Sequence, residues 1–146
     1  MKVDLKQIER LYSEGIEKYG LDSKSVGWRD KESQCLRFKK LVEVVENKEE
    51  VITVNELGCG YGAMFNFLVE EGFNIRKYFG YDISIKMLDA AKSVVKNNCV
   101  KFIHSDKITK VADYSFTSGI FNVKFDIDEN LWREYINYIL YQMNEY

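Results

Sequence analysis

The amino-acid sequence predicts an α/β fold in which a parallel β-sheet follows two N-terminal helices. From residue 51 onward, short segments rich in β-branched residues alternate with segments whose apolar residues recur at helical spacing. Three closely spaced glycines separate the first of these predicted strands from the helix that follows it. Strands that alternate with helices form right-handed βαβ units, which place the strands parallel in one sheet.

Size and composition predict a single domain. The chain has 146 residues, of which 46% are hydrophobic and 14% aromatic, so it can bury a core and is not disordered. We predict one domain over residues 1–146, with a helical N-terminal cap at 1–50 and the core of the fold at 51–146. The net charge of −2 provides no general attraction to nucleic acid or to an anionic membrane, and we expect neither as a partner.

The cysteines and the N-terminal segment indicate a reducing, cytoplasmic compartment. Cys35, Cys59 and Cys99 form no CxxC pair, which argues against a disulfide framework and a zinc cluster, and we expect no metal. The opening segment MKVDLKQIER lacks the continuous apolar stretch of a signal peptide. No segment approaches the ~20 apolar residues that a membrane-spanning helix needs.

Two helices are predicted before residue 50. The first ends near Gly20, and its apolar residues at helical spacing are Leu5, Ile8, Leu11, Tyr12 and Ile16. Asp30 suits the N-cap of the second helix, because its carboxylate can accept a hydrogen bond from the first turn. The apolar stripe of this second helix consists of Cys35, Phe38, Leu41, Val42 and Val45.

Strands and helices alternate after residue 50. The segment VITVNEL at 51–57 is short and mostly apolar, which is typical of a strand buried on both faces. Further strands are predicted at Tyr78–Tyr81, Val100–Ile103 and Ser115–Ile120. The apolar residues Phe65, Leu68 and Val69 predict a helix that ends at Gly72. A second helix is predicted from Met87, Leu88, Ala91, Val94 and Val95. A last helix over 128–146 has its apolar stripe at Leu131, Trp132, Tyr135, Ile136, Ile139, Leu140 and Met143.

The turn after the first strand, Glu56-Leu57-Gly58-Cys59-Gly60-Tyr61-Gly62, is the most informative stretch of the chain. Glycines suit a tight turn whose backbone approaches a ligand closely, although such a turn can also serve only to pack a helix onto a strand. Asp82 ends the next strand, where a carboxylate can accept hydrogen bonds from both hydroxyls of a ribose. The combination predicts a ribose-containing ligand.

Glu56 distinguishes between two such ligands. Gly58, Gly60 and Ala63 also satisfy the G-x-G-x-x-G/A pattern of dinucleotide sites, so the glycines alone allow NAD. A carboxylate is repelled by pyrophosphate, whereas it attracts the ammonium or sulfonium group of S-adenosylmethionine. We therefore predict S-adenosylmethionine as the cofactor, with an NAD-dependent oxidoreductase as the less favoured alternative.

These segments resemble the class I S-adenosylmethionine-dependent methyltransferases. ELGCGYG at 56–62 resembles their E/D-x-G-x-G-x-G motif, and GYDIS, ML and AAK within 80–92 resemble the segment after their second strand. IHSD at 103–106 and SGIFN at 118–122 resemble the ends of their third and fourth strands. The resemblance covers residues 28–143 and implies a Rossmann-like three-layer fold and transfer of a methyl group.

A narrower similarity is to bacterial methyltransferases of surface-polysaccharide and sugar-modification gene clusters. It is carried by GW at 27–28, ESQCLRF at 32–38 and SGIFNVK at 118–124. This similarity implies a small-molecule or saccharide acceptor.

The resemblance also implies roles for individual residues. The residues expected around the methionine part of the cofactor and its methyl group are Glu56, Gly58, Cys59, Gly60, Gly62, Ser118 and Gly119. Asp82 is expected to hold the ribose, Ile83 and Met87 to pack on the adenine, and Asp106 to bind the adenine amino group. Gln34 and Arg37 share a helix face, where Arg37 is either a partner for the cofactor carboxylate or a solvated arginine. Trp28 is either a lid over the cofactor or the edge of a core.

No residue stands out as the catalytic base. Asn122 follows the fourth strand and is a candidate for contacting the acceptor, as is Tyr61. His104 is the single histidine of the chain, and a histidine at a strand end is more often structural than catalytic. The segment Ser-Gly-Ile-Phe-Asn at 118–122 lacks the N-P-P-Y type of signature associated with methylation of amines on nucleic acid.

The chain departs from the resembled family in the number of strands. Such proteins generally have seven strands in the order 3-2-1-4-5-7-6, whereas this sequence predicts only the 3-2-1-4 portion and so looks truncated after the fourth strand. An exposed fourth strand would offer an edge for pairing. We expect either a shortened chain, a second copy or partner chain on that edge, or a catalytically silent module that binds S-adenosylmethionine.

Overall fold

The computed structural model describes residues 4–121 and 128–146. Within these residues the helices are α1 (Lys6–Tyr19), α2 (Lys31–Leu41), α3 (Ala63–Glu70), α4 (Ile85–Val94) and α5 (Glu129–Glu145). The strands are β1 (Val51–Leu57), β2 (Asn74–Asp82), β3 (Val100–His104) and β4 (Tyr114–Thr117). Short 3-10 turns at Ser23–Val26 and Val42–Val44 flank α2.

The described strands form one parallel sheet in the order β3-β2-β1-β4, which confirms the predicted arrangement. The carboxyl ends of the two central strands lie side by side, with Leu57 paired to Tyr81. Because all pairings are parallel, the loops that follow the strands collect at one edge of the sheet. Within the described residues, β4 forms an outer edge of this sheet, and coverage of that edge by a second copy or another chain stays a prediction.

Two strands, β2 and β4, differ from the sequence-based expectation by three or more residues at one end. β2 begins at Asn74 rather than at Tyr78, because its polar first residues are held by pairing with β1 and carry no apolar signal. β4 covers Tyr114–Thr117 rather than Ser115–Ile120, and Gly119 has φ 87°, a conformation that cannot continue a strand. The connection between β3 and β4 contains no helix over residues 105–113.

Helices pack on both faces of the sheet, which confirms the predicted three-layer fold. Alternate residues of β1 point to opposite faces, so Val54 joins a core with α2 and α3, whereas Leu57 joins a core with α5. The predicted cap of α2 is confirmed, since the Asp30 carboxylate accepts a hydrogen bond from the Ser33 N–H at 2.7 Å. Leu140 is an exception to the predicted stripe of α5, since it is exposed.

Helix α1 is fastened to α4 by a buried contact between two hydroxyls. The Oγ atoms of Ser13 and Ser84 lie 2.8 Å apart, and Ser13 donates its own proton to Glu9 at 2.7 Å. Ser84 therefore donates to Ser13. An ion pair between Lys86 and Glu17 adds a second connection between the same helices. The division of the chain into a cap at 1–50 and a core at 51–146 stays a prediction.

Helix α5 is fastened to the opposite face through a fully buried asparagine of β1. The Nδ2 of Asn55 donates to the main-chain oxygen of Lys110 at 2.6 Å and to that of Tyr146 at 3.1 Å. Gln142 of α5 accepts a hydrogen bond from the Ile108 N–H at 3.0 Å. These bonds satisfy polar groups that burial removes from water.

We expect Asn55→Leu to lower the free energy of unfolding by about 1–3 kcal/mol, because the buried side chain loses its hydrogen bonds to the main-chain oxygens of Lys110 and Tyr146. Urea unfolding followed by circular dichroism measures this change. Asn137→Leu, at an exposed asparagine of α5, is the control and should leave the free energy of unfolding unchanged. Equal stability of the two variants would contradict the role assigned to Asn55.

Candidate functional site

The glycine turn after β1 is held against the end of β2 by its own backbone. The N–H groups of Gly58 and Cys59 both donate to the Tyr81 carbonyl, at 2.8 and 2.9 Å. The N–H of Gly60 donates to the Asp82 carboxylate at 2.8 Å. The predicted turn and the predicted acidic residue are thus in direct contact.

Two glycines of this turn occupy positions that suit no other residue. Gly58 and Gly60 have φ angles of 75° and 54°, in the left-handed region that favours glycine. A Cβ on Gly58 would also lie 2.2 Å from the Cγ2 of Ile120, and one on Gly60 would lie 3.0 Å from the Cγ1 of Val26. A side chain at either position would therefore combine an unfavourable backbone conformation with a close contact.

Gly62 lies elsewhere than the resemblance implied. It precedes α3, and a Cβ at this position would lie 3.1 Å from both Phe102 and Val95. Phe102 and Val95 pack against the buried cluster between helices and sheet. Gly62 therefore allows helix and sheet to pack closely and is not in the lining of the cavities that surround the turn.

Asp82 is buried, and each of its oxygens is used. Oδ2 accepts the Gly60 N–H and Oδ1 accepts the Ser84 N–H, each at 2.8 Å. Burial raises the pKa of Asp82, while these N–H groups act in the opposite direction. A carboxylate has about four acceptor positions, so two remain for a ligand.

A cavity, here called the main cavity, opens beside the turn at the carboxyl ends of the strands. Eight of the predicted site residues contribute to its lining: Gly58, Gly60, Asp82, Ile83, Met87, Asp106, Ser118 and Gly119. Ile83 and Met87 supply apolar surface, whereas Asp82 and Asp106 supply carboxylates. The structure therefore brings together residues from four separate segments of the sequence.

Helices α1 and α5 complete the main cavity with residues that sequence reasoning assigned only to apolar stripes. Tyr12 comes from α1 and Tyr135 from α5, and both line the cavity. Burial and the nearby Asp82 raise the pKa of Tyr12 to about 12, and burial likewise raises the pKa of Tyr135. Both hydroxyls therefore keep their protons at neutral pH. A hydroxyl-bearing residue within an otherwise apolar stripe is the sequence signal that could have identified them.

A second, narrow cavity lies on the other side of the turn and is bordered by Trp28, Gln34, Glu56, Cys59 and Tyr61. The Glu56 carboxylate is buried and accepts a hydrogen bond from the hydroxyl of Tyr78. Burial raises the pKa of Glu56 to about 8, so its neutral form dominates at pH 7 unless a cation lies nearby. Burial also raises the pKa of the Cys59 thiol, which is therefore not a thiolate.

Ser118 borders both the main and the narrow cavity. Its Oγ is buried, and within the described part of the chain it has no hydrogen-bond partner. A buried hydroxyl without a partner is costly, and a polar ligand atom between the two cavities would remove that cost.

Two predicted residues within the described part of the chain, Arg37 and His104, are also absent from the lining of these cavities. Arg37 is exposed and its guanidinium lies 5.7 Å from the ring centroid of Trp28, which favours the solvated alternative. His104 is exposed, and its Nε2 lies 3.0 Å from the Ile83 carbonyl, a contact that stabilises the end of β3. Asn122 lies outside the described residues.

The described residues 4–121 and 128–146 can also be compared with what a membrane-spanning helix and a metal site require. No helix among them is long and apolar enough to cross a membrane. They contain no group of three or more His, Cys, Asp or Glu side chains arranged to hold a metal ion.

Comparison with protein families and curated proteins identifies similar sequences. A family described as a methyltransferase domain matches residues 55–126, which include the glycine turn and Asp82. The protein Rv1506c of Mycobacterium tuberculosis, provisionally named a methyltransferase, is 36% identical over 101 residues. The match covers 68% of this chain and 60% of that relative, so the chain spans less than two thirds of the length of the relative.

Solved structures share the fold. The magnesium protoporphyrin IX methyltransferase ChlM of Synechocystis, solved with bound S-adenosylmethionine, has a TM-score of 0.58 and 17% identity over 96% of this chain and 72% of its own. The PH0226 protein of Pyrococcus horikoshii has a TM-score of 0.54 and 24% identity over 81% of this chain and 55% of its own. At these identities the similarity demonstrates a common fold.

The buried Glu56 predicts a pH-dependent stability. Between its ordinary pKa of 4.5 and the raised pKa of about 8, the folded protein holds a proton that the unfolded chain has released. The free energy of unfolding should therefore fall as the pH rises through this window.

Glu56→Gln removes the titratable carboxyl and keeps an oxygen that can accept a hydrogen bond from the Tyr78 hydroxyl. The free energy of unfolding of this variant should therefore depend less on pH than that of the parent protein. Urea unfolding of both proteins at several values between pH 5 and 8 measures the difference. Glu14→Gln, at an exposed position of α1, should behave as the parent protein does. The same pH dependence in the parent and in Glu56→Gln would contradict the prediction.

Proposed function

We propose that this chain is a class I S-adenosylmethionine-dependent methyltransferase, which binds S-adenosylmethionine and transfers its methyl group to a small-molecule or saccharide acceptor. The observation that carries this proposal is the contact between the Gly60 N–H and Asp82, which joins the two most specific motifs of the matched region at one cavity. The acceptor class follows the resemblance to sugar-modifying enzymes.

The residues of the main cavity fit the nucleoside part of this cofactor. Asp82 keeps acceptor positions for two ribose hydroxyls, and Ile83 and Met87 offer apolar surface to the adenine. Asp106 can accept hydrogen bonds from the adenine amino group. Gly58 and Gly60 keep the turn free of side chains on the cofactor side.

The narrow cavity fits the amino-acid part. Its buried Glu56 has one oxygen bonded to Tyr78, and an ammonium group in the cavity would favour the ionised form of the carboxyl. Ser118 borders both cavities, and its Oγ has no partner among the described residues, so a polar atom of the ligand can satisfy it.

Bound S-adenosylmethionine would supply a methyl group on a positively charged sulfur. The sulfur is a good leaving group when a nucleophile attacks the methyl carbon. The contribution of the chain is alignment, because a displacement in one step gains most of its rate from positioning. Tyr12, Tyr135 and Ile139 cover the main cavity from α1 and α5 and so restrict the access of water. Since Tyr12 and Tyr135 are protonated at neutral pH, they serve as hydrogen-bond donors and not as bases.

Isothermal titration calorimetry with S-adenosylmethionine, S-adenosylhomocysteine and NAD tests the cofactor assignment. NAD is included because a neutral Glu56 repels pyrophosphate less than the sequence alone suggested. Binding of the first two ligands and not of NAD is the expected result. Binding of NAD alone would overturn the proposal in favour of an oxidoreductase, and binding of S-adenosylmethionine without turnover on any acceptor would identify a silent module.

Asp82→Asn should weaken the binding of S-adenosylmethionine by about 1–3 kcal/mol, because charge-assisted hydrogen bonds to the ribose are lost. Asparagine keeps the size of the side chain and one of its two oxygens, so one of the N–H groups of Gly60 and Ser84 loses its acceptor, and the melting temperature of the variant is measured beside its affinity. Asp89→Asn on the exposed side of α4 is the matched control. Unchanged affinity in Asp82→Asn, with an unchanged melting temperature, would remove Asp82 from the ribose site.

A further inference from the structure

The two buried carboxyl groups beside the glycine turn differ in their hydrogen-bond donors. Asp82 accepts two backbone N–H groups, those of Gly60 and Ser84. Glu56, which is only 2% exposed, accepts the hydroxyl of Tyr78. Backbone N–H groups that point at a carboxylate favour its ionised form more strongly than a single hydroxyl does. Of the two groups, Asp82 is therefore the better place for a negative charge.

No positive charge balances Glu56 among the described residues that line the narrow cavity. Its titratable neighbours are the hydroxyls of Tyr78 and Tyr61, the thiol of Cys59 and the carboxylate of Asp82. Burial raises the pKa of Tyr78, Cys59 and Tyr61, so these three groups are uncharged at neutral pH. The other side chains that α2, β4 and the preceding turns place at this cavity are also neutral: Val26, Trp28, Gln34, Phe38 and Ser118.

Glu56 is consequently neutral at pH 7 without a cation beside it. Burial and the charge of Asp82 raise the pKa of Glu56 to about 8, and the hydrogen bond from Tyr78 opposes them only in part. Because Oε2 accepts the Tyr78 hydroxyl, Oε1 carries the proton of the neutral form. This proton neutralises a group that would otherwise be a buried charge without a partner of opposite sign.

The cofactor proposed above brings a cation to this carboxyl in its amino-acid part. S-adenosylmethionine and S-adenosylhomocysteine both carry an ammonium group on the chain that is attached to their sulfur. The main and narrow cavities meet at four shared residues, Val26, Gly58, Gly60 and Ser118. A ligand whose ribose lies at Asp82 therefore extends its amino-acid part toward Glu56. An ammonium group next to a buried carboxyl favours the ionised form.

We propose that binding of S-adenosylmethionine exchanges the proton of Glu56 for the ammonium group of the ligand, so that the protein releases a proton when the site fills. The O–H bond of the Glu56 carboxyl breaks, the proton passes to solvent, and the carboxylate stays paired with the ammonium group. This inference rests on the proposed function, because it concerns the same ligand in the same cavities.

The exchange makes the affinity for the ligand depend on pH. Above the pKa of about 8 the Glu56 carboxyl is already ionised, and no proton has to leave. Below this value a lower pH makes removal of the proton harder, so the affinity should fall about tenfold from pH 7 to pH 6. The α-amino group of the ligand keeps its positive charge over this range.

Isothermal titration calorimetry of the full chain with S-adenosylhomocysteine tests the exchange. Titrations at pH 6.5 in phosphate, MES and imidazole buffers give the number of protons released, because each buffer takes up a proton with a different enthalpy. The matched ligand is the deamino analogue of S-adenosylhomocysteine, in which a hydrogen atom replaces the ammonium group. The matched proteins are Glu56→Gln, which has no carboxyl proton to release, and Glu14→Gln at an exposed position of α1.

The parent protein and Glu14→Gln should each release about one proton for each S-adenosylhomocysteine bound. The deamino analogue should bind to the parent protein more weakly and release no proton. Glu56→Gln should bind S-adenosylhomocysteine without proton release, and its affinity should be the same at pH 6 and at pH 7.

Three results would overturn the exchange while the cofactor still binds. They are binding to the parent protein without proton release, release that persists in Glu56→Gln, and release that also accompanies the deamino analogue. The first and the last use the parent protein alone, so they remain decisive if Glu56→Gln does not fold. Failure of the parent protein to bind S-adenosylhomocysteine would instead overturn the proposed function itself, so the two failures are distinguishable.

Discussion

The parallel pairing of β1 with β2 is the constraint on which the whole site depends. The carbonyl of Tyr81 accepts the N–H groups of Gly58 and Cys59, and the side chain of Asp82 accepts that of Gly60. These contacts exist only while Leu57 lies opposite Tyr81. Because side chains alternate along a strand, a slip of one residue would turn Asp82 away from the cavity and expose part of the core. The same register therefore stabilises the sheet and assembles the candidate site.

Two neighbouring polar residues of β1 connect this register to both layers of helices. Asn55 and Glu56 are both buried and point to opposite faces of the sheet. Asn55 binds main-chain oxygens beside α5, whereas Glu56 binds Tyr78 and borders the narrow cavity. Buried polar groups are costly without partners, so each residue favours one arrangement of the layer it faces. Glu56 is also titratable, and a cation beside it would favour its ionised form.

The cover of the main cavity comes from helices far from the motif in sequence. Ser84, which caps α4, also holds Ser13 of α1, and its N–H holds Asp82. The position of α1 is thereby tied to the residue assigned to the ribose. Tyr135 of α5 reaches the same cavity from the other face of the sheet. Two protonated tyrosines, Tyr12 and Tyr135, consequently lie close to the carboxylate of Asp82, which contributes to the raised pKa of both.

The sequence by itself determined the features that depend on neighbours along the chain: the cap at Asp30, the strand at 51–57 and the glycine turn. The predicted strand order came from the resemblance to class I methyltransferases, and the sheet has that order. Only the tertiary structure decided which way side chains face, since that depends on packing between distant segments. It turned Gly62 toward the core, left Arg37 over Trp28 in solvent, and brought Tyr12 and Tyr135 from apolar stripes to the cavity. The polar start of β2 escaped prediction for the same reason, because pairing with β1 and not local pattern holds it.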